Sequence, residues 1–113
     1  MKINQLDIVE VYFDFGGKIG VTKHPVVVIS QNEILQEENL FYGVLMSTKN
    51  HYPDWTMSII PSMINNPVND REGFIVCHQI QQFTPEMIAS KRGSLKVEHL
   101  PILKRNIINA IFG

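Results

Sequence analysis

Lys23-His24-Pro25-Val26-Val27-Val28-Ile29-Ser30 and Gly73-Phe74-Ile75-Val76-Cys77-His78-Gln79-Ile80 decide the fold. Each is a short apolar run rich in β-branched residues and reads as a buried β-strand. Each also carries a histidine at one end. His24 follows a glycine-bearing loop, and His78 sits where its strand is running out. An imidazole titrates near neutral pH. Two of them on separate strand ends are the minimum kit for acid–base chemistry without a metal.

Outward from these segments the pattern stays mostly β. Asp7 to Phe13 sets Val9, Val11 and Phe13 on one face and Ile8, Glu10 and Tyr12 on the other, which is the period of a first strand. Residues 14–23 form a loop loosened by three glycines. Residues 25–30 are the second strand. A helical turn follows at 32–39, then a third strand over Phe41 to Thr48, a turn at 50–54 and a fourth strand over Trp55 to Ile60, stopped by Pro61. Residues 65–73 are dense in turn formers, and the fifth strand runs from Phe74 to Phe83.

Thr84-Pro85-Glu86 carries a helix-start signal, a hydroxyl cap followed by proline, and Gly93 sets the end of that short helix. From about Glu98 the chain is helical. Leu100, Leu103, Ile107, Ile108 and Ile111 recur at helical spacing, with Lys104, Arg105, Asn106 and Asn109 on the wet face. The expected architecture is a single mainly-β domain over residues 1–113, an antiparallel sheet or partly open barrel closed by a C-terminal helix.

The bulk numbers agree. The chain has 113 residues, 44% hydrophobic and 19% charged, enough for one core and too apolar for a disordered chain. A net charge of −1 does not suit a strongly basic nucleic-acid binder, although local patches can still meet RNA. The single cysteine, Cys77, excludes a disulfide within the chain and fits a reducing cytoplasm. No signal peptide and no membrane span is legible, so no membrane partner is expected.

Read in order, these segments resemble the MazF/PemK/Kid toxins of bacterial toxin–antitoxin modules. Asp7-Ile8-Val9-Glu10-Val11-Tyr12-Phe13-Asp14 is similar to their first strand. The loop and His24-Pro25-Val26-Val27-Val28-Ile29-Ser30 are similar to their Arg-Pro-x-Val-Val-Ile-Ser segment. Leu45-Met46-Ser47-Thr48 stands where the family shows Pro-x-Thr-Ser. Gly73 to Ile80 resembles its Gly-x-Val-x-x-Asp-Gln strand, and Gly93-Ser94-Leu95 with the last helix resembles its C-terminal end. The resemblance spans nearly the whole chain. It implies a small SH3-like barrel, cytoplasmic location, a homodimer, a cognate antitoxin and a single-stranded RNA substrate. Cleavage would proceed by attack of the ribose 2′-OH on the adjacent phosphate, with no cofactor.

The departures fall on the chemistry. The family's arginine before proline is His24, the arginine of its last strand is Val76, and the aspartate two residues on is His78. Two histidines can act as base and acid, one neutral and one protonated. His24 and His78 are therefore the candidate acid–base pair. Ser47 and Thr48 match the family's hydroxyl, and Lys18, Lys23, Lys49 and Gln79 are candidate RNA contacts. Each has a plainer alternative: a strand-end imidazole bonded locally, a hydroxyl serving its own turn, a solvated lysine.

The remaining groups are less specific. His51 and His99 read as surface residues, and Cys77, alternating with His78, as core. No His or Cys spacing marks a metal site. Tyr52, Trp55 and Phe41 are either core or rings that stack a base. Lys91, Arg92 and Lys96 form a modest basic cluster, and Met46, Met57 and Met63 fill the core or line a dimer surface. The competing function is a non-catalytic binding module or a gyrase-poison-like toxin, because fold alone does not choose between them.

Overall fold

The computed structural model describes residues 2–14, 20–66 and 73–113. Seven strands are present among them: β1 (Asp7–Asp14), β2 (Val21–Val28), β3 (Phe41–Ser47), β4 (Thr56–Ile59), β5 (Ile64–Asn65), β6 (Gly73–Phe83) and β7 (Ile88–Leu95). Helix α1 (Asn32–Glu38) joins β2 to β3, and α2 (Leu100–Phe112) ends the chain. The strands form one antiparallel sheet in the order β4-β6-β3-β2-β1-β7-β5, which does not close on itself. The fold is thus mainly β with a C-terminal helix, as the strand spacing implies.

Alternation explains why Val26, Val27 and Val28 of β2 are all apolar. Successive side chains point to opposite faces, and both faces here are covered. Val26 and Val28 join Val9, Val11, Phe41, Leu45 and Phe83 in one cluster. Val27 joins Ile8, Val44, Ile59, Ile75, Cys77 and Leu103 in the other. The second cluster is roofed by α2, whose Leu103 is fully buried while Leu100, Ile107 and Ala110 pack beside it. Each such buried side chain stabilises the fold by about 1.5–3 kcal/mol. Of the methionines, Met57 is buried, and Met46 and Met63 pack against the same core.

Three elements differ from the sequence reading. β2 starts at Val21, inside the expected loop, because Val21, Thr22 and Lys23 pair with Asp14, Phe13 and Tyr12 of β1. The expected turn at 65–73 falls largely on residues 67–72, which lie outside the described residues. β5, only two residues long, pairs with β7 and gave no periodic signal.

The third difference is larger. The helix expected after Thr84 is a single 3-10 turn (Pro85–Met87), and 88–95 is a strand. The open edge of β1 decides this. β7 satisfies β1's backbone groups, and Lys91 Nζ reaches Asp7 Oδ2 at 3.1 Å while Arg92 Nη1 reaches Glu10 Oε1 at 3.4 Å. Tertiary pairing outweighs the local cap signal. Gly93 is not a helix stop but a bulge residue, at φ +116°, where β7 shifts register against β1. The same pairs neutralise two members of the basic cluster.

The bulge that matters most for the site is in β6. Val44 of β3 faces Ile80, but Met46, two residues on, faces Ile75. One β3 residue therefore spans the stretch Val76–Gln79 of β6. Bulges re-aim side chains and recur beside active sites.

Candidate active site

His24 and His78 both lie inside their strands, not at the strand ends that the sequence suggests. The β6 bulge displaces Gln79 toward the middle of β2 and the end of β3. There an open cavity of about 220 Å3 is lined by His24, Leu45, Met46, Ser47, Val76 and Gln79. The β2–β3 register accounts for the grouping. Val26 faces Leu45, and continuing that ladder by two residues brings His24 beside Ser47. Both lie on the face that carries Val26 and Leu45.

His24 is partly buried and hydrogen-bonded. Its Nε2 lies 2.5 Å from Thr22 Oγ1. The two residues are i and i+2 on one strand, so their side chains share a face. Burial pushes the His24 imidazole below its ordinary value of 6.5, which favours the neutral ring. A neutral imidazole beside a cavity is fit to accept a proton. Ser47 Oγ accepts a hydrogen bond from Lys49 N at 3.1 Å. Its own O–H stays available as a donor to whatever enters the cavity.

His78 is placed differently. Its neighbour Gln79 lines the cavity, but the His78 ring packs edge-to-face against Tyr52 (centroids 4.8 Å apart, 74°) and Trp55 (4.9 Å, 61°). Tyr52 and Trp55 stack on each other at 6.2 Å and 24°. Nδ1 of His78 is buried and has no hydrogen-bond partner.

The other sequence candidates divide by position. Thr48 and Lys49 are exposed just beyond the end of β3. Lys23 is exposed on β2 and, as His24's neighbour, points to the opposite face. Lys18 lies outside the described residues. Phe41 is fully buried, whereas Tyr52 and Trp55 are 39% and 46% exposed. His51 is exposed, its ring 6.5 Å from Tyr52, and His99 ends the 3-10 turn before α2. Cys77 is buried, and its thiol is pushed up to about 11 by that burial. Among the described residues no group of three or more His, Cys, Asp or Glu side chains is placed to hold a metal ion, and no helix is long and apolar enough to cross a membrane.

Thr22 is the residue that sequence reasoning missed. A threonine two positions before a histidine is a signal only once the strand is known to begin at Val21.

This open sheet with its terminal helix recurs in solved toxin structures. An endoribonuclease in complex with its cognate antitoxin from a mycobacterial species superposes with a TM-score of 0.75 at 11% identity, over 96% of this chain and 94% of that one. The Mycobacterium tuberculosis toxin MazF-mt6 gives 0.72 at 15% identity, over 92% and 94%. A MazE-MazF structure from Deinococcus radiodurans gives 0.71 at 12% identity, over 94% and 92%. At such identities the likeness establishes the fold alone. Among curated proteins no sequence matches. The sequence itself supplies the assignment: residues 4–111 match the family of PemK-like, MazF-like toxins of type II toxin–antitoxin systems, and the chain belongs to that family.

Proposed function

We propose that this toxin is an endoribonuclease that cleaves single-stranded RNA without a metal. The observation that carries the proposal is the cavity in which a neutral-leaning imidazole, a hydroxyl and a side-chain amide converge, His24, Ser47 and Gln79. His24 takes the proton of the ribose 2′-OH. The 2′-oxygen then attacks the adjacent phosphorus, and the bond from phosphorus to O5′ breaks. His78, through Nε2, gives a proton to the leaving O5′. The products are a 2′,3′-cyclic phosphate and a free 5′-hydroxyl.

Ser47 O–H and the Gln79 amide donate to the phosphate oxygens, whose charge grows at the phosphorane. Thr48 and Lys49, at the rim, hold the neighbouring backbone as charged and polar contacts. Lys23 and Lys18 are kept as further RNA contacts on their positive charge alone. A positioned base or acid contributes about a hundredfold to ten-thousandfold each.

Partners follow the same logic. One solved neighbour is an endoribonuclease with its cognate antitoxin, which supports an antitoxin whose flexible segment folds across this cavity. The exposed apolar side chains of α2, Ile102, Ile108, Ile111 and Phe112, support a homodimer.

The test is incubation of the purified protein with long single-stranded RNA in EDTA, followed by analysis of the product ends. Cleavage with 2′,3′-cyclic phosphate ends is expected. An intact RNA, from a folded protein, would favour a binding module or a toxin with a protein target.

A further inference from the structure

Trp55 is the only tryptophan of the chain, and it is nearly half exposed. It stacks on Tyr52, and both rings lean on His78, the residue next to Gln79 of the cavity. The two rings are not loose. The 3-10 turn that carries Trp55 (Pro53–Trp55) packs against α2 and β6, and Trp55 N donates to Tyr52 O at 2.9 Å. The segment is tied again at its base, where Thr56 Oγ1 donates to Asn50 Oδ1 at 2.8 Å. Two large rings are thus held on a fixed turn with their faces partly in water, beside a cavity suited to a phosphodiester.

We infer that Tyr52 and Trp55 form a stacking platform for a nucleobase flanking the scissile phosphate. The inference rests on the ribonuclease reading and names a further part of that site. Every base has a π-face, so such a platform binds single-stranded RNA with little demand on sequence. Continuity with the cavity argues for this occupant: the β6 bulge sets Gln79 at the phosphate side and His78 under the rings. In the inferred arrangement a base on the rings turns its phosphate toward the cavity that Gln79, the neighbour of His78, lines.

The chain carries its own probe. Short single-stranded oligonucleotides, fully 2′-O-methylated, have no free 2′-OH and bind without being cut. Titrating them against the protein reads the Trp55 fluorescence, while the anisotropy of a labelled oligonucleotide reads binding independently. Quenching of Trp55 in step with binding is expected. Trp55→Ala and Tyr52→Ala weaken binding about tenfold to a hundredfold, and Trp55→Phe, which keeps a ring, restores most of it. On cleavable RNA the Trp55→Ala loss falls on KM more than on kcat. Binding without quenching, or with unchanged affinity in both alanine variants, overturns the platform. Absence of any binding overturns both the platform and the ribonuclease. Quenching by RNA together with an intact substrate supports the platform and overturns only the catalytic assignment.

Discussion

Thr22 Oγ1 lies 2.5 Å from His24 Nε2, and both side chains stand on one face of β2. This contact fixes which way the imidazole presents itself to the cavity, because a ring nitrogen that is hydrogen-bonded holds the tautomer and orientation of the whole ring. Thr22 acts through His24 and is a positioning residue. Thr22→Val keeps the strand-favouring shape and removes the hydroxyl. It is expected to lower kcat about tenfold and to move the acid limb of the pH–rate profile, with Thr22→Ser restoring both. A merely structural role would leave the pH profile in place.

The His24 shift has a consequence for stability. Its folded-state value lies below the ordinary 6.5 because burial disfavours the charged ring. The unfolded chain therefore binds the proton more readily, and the contribution of this group is fully present above 6.5 and is lost as pH falls through the folded value. Urea denaturation should show a lower midpoint on the acid side of 6.5 than at neutral pH. His24→Gln should flatten that dependence. An unchanged slope in the variant would place the pH sensitivity on other groups.

Gly93 is a backbone test. An added Cβ would lie 2.6 Å from Asn65 O and 2.9 Å from Asn66 O, at a φ of +116°. Neither obstacle is a flexible side-chain tip. Gly93→Ala should cost at least about 1–3 kcal/mol from the backbone conformation alone, and it should loosen the β7 pairing to β1 and β5. The check is chemical denaturation with amide exchange along β7.

Burial makes a sharp contrast on α2. Leu103 is fully buried, whereas Ile108 is 54% exposed. Leu103→Ala should destabilise by about 2–5 kcal/mol, and Ile108→Ala by roughly 0.5 kcal/mol or less in the monomer. A larger loss for Ile108→Ala that depends on protein concentration would point to a covered interface there.

Cys77 should be inert in the folded protein. Its side chain is buried and its thiol value is pushed up to about 11, so almost no thiolate is present near neutral pH. A thiol reagent should label it only as fast as the protein unfolds. Rapid labelling of the native state would show that β6 opens locally.

Much of the sheet was legible because its signals are local. Alternation in Val9, Val11 and Phe13 marks a strand with one apolar face, and the apolar run Val26-Val27-Val28 marks one buried on both faces. The C-terminal helix was legible from the spacing of Leu100, Leu103 and Ile107. β7 was not legible, because Thr84-Pro85 writes a cap while the partner that makes 88–95 a strand is β1, about eighty residues earlier. The site was legible in its residue types but not in its grouping. His24, Ser47 and Gln79 meet only through the β2–β3 register and the β6 bulge, and a bulge leaves no periodic mark. The same bulge seats the His78 ring against Tyr52 and Trp55, a contact between side chains that no spacing rule connects.

The most direct measurement is single-turnover cleavage of a long single-stranded RNA in EDTA by the wild type, His24→Ala and His78→Ala, with folding of each checked by circular dichroism. Cleavage by the wild type, with losses of about a hundredfold or more in each variant, is the predicted result. Full activity in a folded His24→Ala protein would contradict the assignment of the β2 imidazole as the base, and with it the proposed site.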